Sequence, residues 1–371
     1  MKVIYVYADS PEEWNCSQWR CLTPSDAINS RDDNQFQAKL IHVSGFLDFM
    51  NPAIQDLVGP ASVVVFQRNV VDTQAFDAME YWQAMGKPAV IDLDDAYHIL
   101  PWSNPAHKFW LEKDDSVALL HLEEGLRRSN GLLAPNRLLL SDWSHVARGY
   151  YMPNYAEAKW WKDLKSRKIA KHKAGLDDKI VIGWGGSVSH YDSWWGSGIR
   201  EAAQRIVKKY PQVVFMVCGN DPRIHDQLDI PLENKRQQPG VPPEVWPQIV
   251  KTFDIGVAPL FGPYDQRRSW IKGVEYMLAG VPWVGTKGEP YADIDEHGFT
   301  ILNGEKNWFY TLNHMIENLA DLQKTADMKI EYAQQQFFAE NRVDTMNAMF
   351  ANIIKDAAQV STGRLPGVYR G

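Results

Sequence analysis

The chain has little cysteine and no long apolar run. Its three cysteines, Cys16, Cys21 and Cys218, fit neither a disulfide framework nor the spacing of a zinc site. No apolar stretch approaches the about 18 residues of a membrane span, and the first residues do not have the pattern of a signal peptide. We therefore expect a protein of a reducing compartment without a transmembrane helix.

Basic residues are fewer than acidic ones, with 39 Lys or Arg against 46 Asp or Glu. The formal net charge of -7 disfavours a protein that coats nucleic acid, although it leaves room for a local basic site. The first predicted strand, residues 1–8, is followed by polar residues and not by a glycine-rich loop. A nicotinamide-dependent enzyme is therefore disfavoured.

Apolar strands alternate with helices along the chain. Its 371 residues, 45% of them apolar, suit two domains. Short apolar runs at 61–67, 89–93 and 213–218 are typical of strands that are buried on both faces of a parallel sheet. The sequence predicts an α/β fold with doubly wound sheets, in which ligands bind at the carboxyl ends of the strands.

Residues 254–300 predict a strand, a loop, a helix and another strand. Ser269 is expected to cap the helix, and Gly280 to end it. Lys272 and Glu275 are three residues apart and share one helical face. A carboxylate and a cation at the carboxyl edge of a parallel sheet suit a ligand that contains a ribose and a phosphate. The alternative is a solvent-exposed ion pair that stabilises the helix by about 0.3 kcal/mol.

This stretch resembles the donor-binding motif of retaining GT-B glycosyltransferases of the family-4-like group (glycosyl transferases group 1), of phage and bacterial type. The matching pattern is K-x-x-E-Y from Lys272 to Tyr276, followed by Gly280-Val281-Pro282. The second glutamate of the family's E-x7-E motif matches Glu275, but Arg267 occupies the position of the first. The chain therefore has no carboxylate at the first position of that motif.

The resemblance implies a GT-B fold, with two Rossmann-like domains facing across a cleft. It implies transfer of a sugar from a UDP- or GDP-sugar to a hydroxyl acceptor, with retention, without metal and with no cofactor besides the nucleotide sugar. Lys272, with Arg267 or Arg268, would stabilise the departing diphosphate, and Glu275 would hold the ribose. We expect a cytoplasmic protein, in the host cell if the chain is viral.

Further donor-binding residues are predicted at the ends of the second domain's strands. The strand at 179–184 runs into a glycine pair, where small residues let the backbone approach a phosphate. The family commonly has an arginine and a lysine near this loop, and His190 is the nearest polar residue here. The predicted donor set is Gly185, Gly186, Ser187, His190, Gly219, Asn220, Val241, Ser269, Glu275, Gly288 and Glu289.

An acceptor side is predicted at the strand ends of the first domain. The carboxylates of the run 92–95 suggest a metal site, hydrogen bonds to an acceptor or to the protein, or a solvated turn. His98 is either catalytic or structural. Trp102 is a candidate contact for a sugar. The predicted acceptor set is Asn15, Arg20, Asp92, Asp94, Asp95 and Trp102, with no metal ligands.

The predicted domains are an acceptor-side domain at 1–155, a basic linker at 156–177, a donor domain at 178–340 and a helix at 341–371 that returns to the first domain. The linker has seven Lys or Arg between 159 and 173. It is either a surface for phosphate, in an acidic acceptor, a membrane or DNA, or a solvated helix.

Three other functions remain open at this point. The acceptor, expected to be a glycan or a lipid-linked sugar, could instead be a hydroxymethylated base of phage-like DNA. The chain could be a nucleotide-sugar-binding module without turnover, as the substitution at Arg267 suggests. It could also be an epimerase or phosphorylase with the same fold.

Overall fold

A computed structural model describes residues 1–10, 15–32, 35–68, 70–112 and 117–361. The chain divides into two compact units. Unit 1 consists of Met1–His98, Phe109–Ala156 and the chain from Ala339 onward. Unit 2 consists of Ile99–Lys108 and Glu157–Phe338, so that a ten-residue segment following the first unit's central strands belongs to the second unit.

Unit 1 contains a six-stranded parallel sheet in the order β2-β1-β3-β4-β5-β6. The strands are β1 Lys2–Tyr7, β2 Gln37–His42, β3 Val63–Gln67, β4 Ala89–Asp92, β5 Leu132–Ala134 and β6 Gly149–Tyr151. β3 and β4 are buried along their whole length, as expected of strands covered on both faces. Their register places Gln67 beside Asp92 at the carboxyl edge.

Unit 2 contains a second six-stranded parallel sheet, in the order β12-β11-β10-β7-β8-β9. The strands are β7 Ile180–Gly185, β8 Val213–Cys218, β9 Lys235–Gln238, β10 Ile255–Ala258, β11 Trp283–Thr286 and β12 Phe299–Ile301. The strand order reverses at β7, which lies between β10 and β8. Ligands of such sheets bind beyond the carboxyl ends of the strands at this reversal.

Helices cover the sheets. They are α1 Thr23–Asn29, α2 Val43–Leu47, α3 Pro52–Val58, α4 Thr73–Ala84, α5 Ala118–Arg128, α6 Arg137–Asp142, α7 Ala158–Trp161, α8 Arg167–Ala174, α9 Tyr191–Gly196, α10 Ile199–Lys209, α11 Arg223–Asp226, α12 Trp246–Val250, α13 Gly262–Asp265, α14 Ile271–Leu278, α15 Glu305–Glu317, α16 Leu319–Met328, α17 Ile330–Phe337 and α18 Val343–Ser361. No helix of the described residues is long and apolar enough to cross a membrane.

The final helix packs on the sheet of unit 1. Phe350 of α18 lies edge-on to Tyr5 of β1, with 6.2 Å between the ring centroids, and 5.8 Å from Phe36. All three rings are completely buried. Burial of these aromatic rings stabilises the packing of α18 on the sheet of unit 1.

Some local predictions were wrong. Residues predicted as a polar loop after β1 include a helical segment that starts at Cys16 and continues through a π turn, Gln18–Leu22, into α1. Ser269 does not cap α14, whose N-cap residue is Trp270 and makes no side-chain capping bond.

Two edge strands were missed, β9 and β12. β9 has the sequence KRQQ and is half-exposed throughout, so it lacks the apolar residues that indicate a strand. Its backbone is extended because it pairs with β8. β12 has three half-buried residues. Polar or very short strands are common at sheet edges because they resist pairing with other chains.

Candidate functional site

Two glycine turns meet at the carboxyl ends of β7 and β8. The Gly186 N–H donates to the Cys218 carbonyl at 2.9 Å. Gly219 has φ of +158°, and a Cβ at that position would lie 2.4 Å from the Gly186 oxygen. The close approach of these two backbones therefore requires glycine at 219. The glycine turn predicted from the sequence lies at the point where the strand order reverses.

Lys272 comes from the first turn of α14 and reaches this glycine turn. A Cβ on Gly186 would lie 3.1 Å from the Lys272 Nζ. The Nζ is also 5.3 Å from the centroid of the Trp184 ring. Burial, with the neighbouring charge of Arg268, lowers the pKa of Lys272 to about 8, although Glu275 and Asp265 oppose this shift. A lysine held in this way is a strong candidate for pairing with an anion.

Arg268 and Lys272 converge on one nitrogen of His190. Arg268 Nη1 lies 2.9 Å and Lys272 Nζ 3.2 Å from His190 Nε2. Because both cations can only donate, Nε2 must be the unprotonated nitrogen of a neutral ring. Burial and the two positive charges lower the pKa of His190 well below its ordinary value. His190 thus holds two cations together at the carboxyl end of β7.

Asp265 fixes the other members of this group. Its Oδ1 accepts from Arg268 Nε at 2.9 Å, and its Oδ2 accepts from Ser193 Oγ at 2.6 Å. Ser193 Oγ is in turn 3.4 Å from His190 Nδ1, the nitrogen that carries the proton. Asp265 is buried, and its charge partly offsets the desolvation of the two cations. The arginine therefore has a fixed position and direction.

Arg267 is placed differently. Its Nη1 donates to the Pro263 carbonyl at 2.9 Å, within the turn of α13. Of the two arginines predicted to accompany Lys272, Arg268 is the one that joins it at His190. Arg268 also donates to the Ser189 carbonyl at 2.9 Å, beside the glycine turn.

Glu275 lies one turn along α14 from Lys272. It is 6% exposed, so the alternative of a solvent-exposed Lys-Glu pair is wrong. Its Oε1 accepts from Trp246 Nε1 at 2.9 Å. Burial raises the pKa of the Glu275 carboxyl to about 7, while Lys272 and the Trp246 hydrogen bond act against this rise. A buried carboxylate of this kind can hold paired hydroxyl groups.

Trp246 was not identified from the sequence. Its ring covers Gly185, where a Cβ would lie 2.1 Å from the ring, and its indole N–H orients Glu275. Asp265, Ser193 and Tyr264 were missed as well. The spacing of Asp265 and Arg268, three residues apart, is a signal that could have found that pair. No local pattern marks Trp246.

The remaining predicted donor residues lie on neighbouring turns. Asn220 Oδ1 accepts from the Gly240 N–H at 2.8 Å and so joins the turn after β8 to the loop that contains Val241. The Glu289 N–H donates to Gln266 Oε1 at 3.1 Å, and a Cβ on Gly288 would collide with Gln266. Ser187 and Ser189 share a hydrogen bond between their hydroxyls at 2.6 Å.

Arg20 and Asp92 form a buried pair in unit 1. Both side chains are completely buried, and Arg20 Nε lies 2.9 Å from Asp92 Oδ1. Arg20 also donates to the Met152 carbonyl at 2.6 Å and to Asn154 Oδ1 at 2.7 Å. Neither Arg20 nor Asp92 can reach an acceptor in this arrangement. Their observed role is to join β4 to the chain after β6.

Asp94 and Asp9 share Arg68. The Arg68 guanidinium lies 2.7 Å from Asp9 Oδ1 and 2.9 Å from Asp94 Oδ2. Burial disfavours the charged form of Asp94, but Arg68 and hydrogen bonds from Cys16 and Tyr97 lower its pKa overall. The reading of 92–95 as a solvated turn is therefore wrong for Asp92 and Asp94. Among the described residues, no three His, Cys, Asp or Glu side chains are grouped to hold a metal ion.

The other predicted acceptor-side residues are more exposed. Asp95 Oδ1 accepts from the Ala96 N–H at 3.1 Å, and the exposed Asn15 donates its backbone N–H to Asp9. His98 Nε2 is 3.1 Å from Asp142 Oδ2, and its ring meets Trp143 edge-on. These contacts hold the His98 ring within unit 1. Trp102 belongs to unit 2 and is 81% exposed.

The basic segment lies in unit 2 and includes α7 and α8. Arg167 Nε donates to the Phe253 carbonyl at 3.2 Å, and Lys171 Nζ donates to Asp254 Oδ2 at 2.7 Å. Two of the seven cations therefore bind the start of β10. The lysines that remain exposed are Lys159, Lys162, Lys165, Lys168 and Lys173.

Comparison with solved structures identifies the fold. HepE from Anabaena, solved in complex with UDP-glucose, has a TM-score of 0.58 and 15% identity over 98% of this chain and 100% of its own. WaaG, a glycosyltransferase involved in lipopolysaccharide biosynthesis, has a TM-score of 0.54 and 16% identity over 98% of this chain and 100% of its own. A putative UDP-N-acetylglucosamine 2-epimerase from Listeria monocytogenes has a TM-score of 0.51 and 13% identity over 98% of this chain and 97% of its own.

No protein-family model and no curated protein matches the chain. At the identities of the solved structures, the likeness establishes the fold alone. The fold is GT-B, with a six-stranded Rossmann-like parallel sheet in each of two units, as predicted. A glycosyltransferase and a putative epimerase share this fold, so the fold alone does not determine the reaction.

Proposed function

We propose that the chain is a glycosyltransferase that moves a sugar from a nucleotide diphospho-sugar to a hydroxyl acceptor. The observation that carries this proposal is the convergence of Arg268 and Lys272 on His190 beside the Gly186 turn, with buried Glu275 one helical turn away. UDP-glucose in the HepE structure and the transferase activity named for WaaG support the choice of donor and reaction.

The two cations would bind the diphosphate and stabilise it as it departs. The negative charge that develops on a leaving diphosphate is the largest change in the reaction, and preorganised cations stabilise it without rearrangement. Arg268 is fixed by Asp265 and Ser189, and Lys272 is fixed by His190. When a phosphate oxygen takes the place of His190 Nε2 as acceptor, both cations can turn to it over a short distance.

Glu275 would accept hydrogen bonds from the two ribose hydroxyls, while the Trp246 indole N–H donates to its Oε1 and orients the carboxylate. We propose that the turns at Gly219–Asn220, Val241 and Gly288–Glu289 contact the base, the ribose and the sugar through their backbone. Ser187 and Ser269 flank the phosphates in this proposal. Retention of configuration and independence of metal rest on the resemblance of the Lys272–Tyr276 segment to retaining transferases.

The acceptor is proposed to be a hydroxyl group of a glycan or a lipid-linked sugar. Asn15, Asp94 and Asp95 of unit 1 remain candidates for the acceptor side. Hydroxymethylated DNA is the alternative acceptor, and the exposed lysines of residues 159–173 are the feature that favours it. We also propose a cytoplasmic location, which the three free thiols support.

The test is release of free nucleotide diphosphate from a panel of UDP- and GDP-sugars, with and without hydroxymethylated duplex DNA. Donor-specific release should fall by about 100-fold or more in Lys272→Ala. Lys208→Ala, an exposed lysine of α10, is the matched control and should retain full activity. Stimulation by DNA alone would select the DNA acceptor.

Three results would reject transfer. Release of nucleotide with an epimerised free sugar and no transferred product would select the epimerase reaction, the activity named for the Listeria protein. Binding of UDP-sugars without any release would select a binding module. Phosphate-dependent release of a sugar phosphate would select a phosphorylase.

A further inference from the structure

A rigid loop at 101–107 adjoins the proposed diphosphate site within unit 2. The Asn104 N–H donates to the Pro101 carbonyl at 2.9 Å, and the His107 N–H donates to the Asn104 carbonyl at 3.0 Å. Asn104 Oδ1 also accepts from the Ala106 N–H at 2.9 Å. These successive turns, with prolines at 101 and 105, leave the loop little conformational freedom.

Asn104 attaches this loop to the residues around Arg268. Its side chain is 6% exposed, and Nδ2 donates to the Tyr264 hydroxyl at 3.0 Å. The same hydroxyl lies 3.2 Å from Arg268 Nη2, and the guanidinium lies over the Tyr264 ring at 4.7 Å from its centroid. The loop is therefore one side chain removed from a cation of the proposed site.

Trp102 projects from the loop with an open face. It is 81% exposed, although its ring stacks on the ring of buried His107 at 4.6 Å between centroids and 23° between planes. The histidine below fixes the orientation of the indole. An exposed tryptophan is unremarkable by itself. One that is held flat, on a rigid loop beside a candidate site, is preorganised to stack against a ligand.

We propose that Trp102 is a stacking platform for a hexopyranose ring of the acceptor, which rests on the proposed transferase function. The C–H groups on one face of a pyranose carry partial positive charge and fit the negative face of an indole. The loop 101–107 contains no lysine or arginine, and the single exposed cation Lys108 follows it directly. A neutral ring suits this loop better than a nucleic-acid strand, which needs cations along its backbone.

Asn104 acts as a positioning residue in this proposal. It does not touch the sugar but holds the loop against Tyr264. Its removal should weaken sugar binding less than loss of the indole. It should leave binding of UDP unchanged, because Arg268 keeps its bonds to Asp265 and Ser189.

The experiment is saturation-transfer difference NMR on the whole protein, with lactose, maltose, cellobiose, UDP, UDP-glucose and a single-stranded oligonucleotide as separate probes. At least one disaccharide should give a signal confined to the C–H groups of one ring face. Trp102→Ala should weaken that signal by about two- to tenfold. Trp195→Ala is the control, since Trp195 is 44% exposed and Arg200 covers its ring, and it should leave the signal unchanged.

The probes separate the sources of the ring. A Trp102-dependent signal from a disaccharide supports the acceptor platform, whereas one seen only from the glucose of UDP-glucose would overturn it in favour of a donor contact. Equal disaccharide signals in wild type and Trp102→Ala, no disaccharide signal at all, or Trp102-dependent binding of the oligonucleotide alone would overturn it too. If the wild-type protein does not bind UDP, the donor site is rejected, independently of the disaccharide result.

Discussion

Arg268 and Lys272 donate to the same atom, His190 Nε2, at 2.9 and 3.2 Å. Two like charges in one place repel each other. The lone pair of a neutral imidazole and the buried carboxylate of Asp265 together stabilise the two cations. The consequence is a site whose cations are already directed to one point.

Binding of UDP should weaken at alkaline pH. Because burial and Arg268 lower the pKa of Lys272 to about 8, its charge is lost at a pH where an ordinary lysine is fully protonated. We expect the affinity for UDP, measured by calorimetry, to fall by up to about tenfold per pH unit above pH 8.

Lys272→Arg is the control for the ionisation of UDP itself. Its guanidinium stays charged in this range, so its binding profile should be flatter. Parallel profiles for the two proteins would contradict a lowered lysine pKa.

Ionisation of Glu275 should lower the free energy of unfolding as the pH rises. Its pKa is raised to about 7 in the folded protein, so the native state binds the proton more tightly than the unfolded chain does. Between about pH 4.5 and 7, ionisation therefore costs folding free energy. The stability of Glu275→Gln relative to wild type should increase by up to about 1.4 kcal/mol per pH unit in this window.

Urea denaturation at pH 5, 6 and 7 measures this difference. His190 acts with the opposite sign, since its lowered pKa makes the native state lose stability as the pH falls below about 6.5. That contribution is present in both proteins and cancels in the comparison. A difference that stays constant across the three pH values would be evidence against a raised carboxyl pKa.

Lys251 should be needed to anchor the C-terminal end of α14. It is 6% exposed, and its Nζ donates to the Ala279 carbonyl at the end of α14 at 2.6 Å. Arg167 donates to the next carbonyl, that of Gly280. Lys251→Met keeps most of the side-chain volume but leaves a buried carbonyl without this donor, at a cost of about 1–3 kcal/mol.

The measurement is again urea denaturation, with exposed Lys208→Met as the matched control. The control should stay within about 0.5 kcal/mol of wild type. Equal stability of the two variants would show that the Lys251 contact adds nothing to folding.

The buried pair of Arg20 and Asp92 should matter for folding. Arg20→Met leaves an unpaired buried carboxylate and should cost about 3–5 kcal/mol. Combining it with Asp92→Asn removes the charge, so the double variant should recover part of that loss. Chemical denaturation of both single variants and the double variant completes the cycle. A double variant less stable than Arg20→Met would refute the charge as the cause.

Local sequence determined most of the architecture. The apolar runs that became β1, β3, β8 and β10 could be read directly, because a strand covered on both faces needs apolar residues throughout. Helix periodicity and the Gly280–Pro282 stop placed Lys272 and Glu275 on one face of one helix. β9 escaped detection because an edge strand needs no apolar residues.

Only the tertiary structure decided which residues complete the site. Trp246 lies 29 residues before Glu275, and Arg268 lies 78 residues after His190, so their contacts depend on the order of strands in the sheet. The same holds for Arg20 and Asp92, 72 residues apart, whose charges suggested an exposed site and whose pairing buries them. Sequence patterns report propensity and burial along one element, whereas strand order sets which elements meet, and no local pattern encodes it.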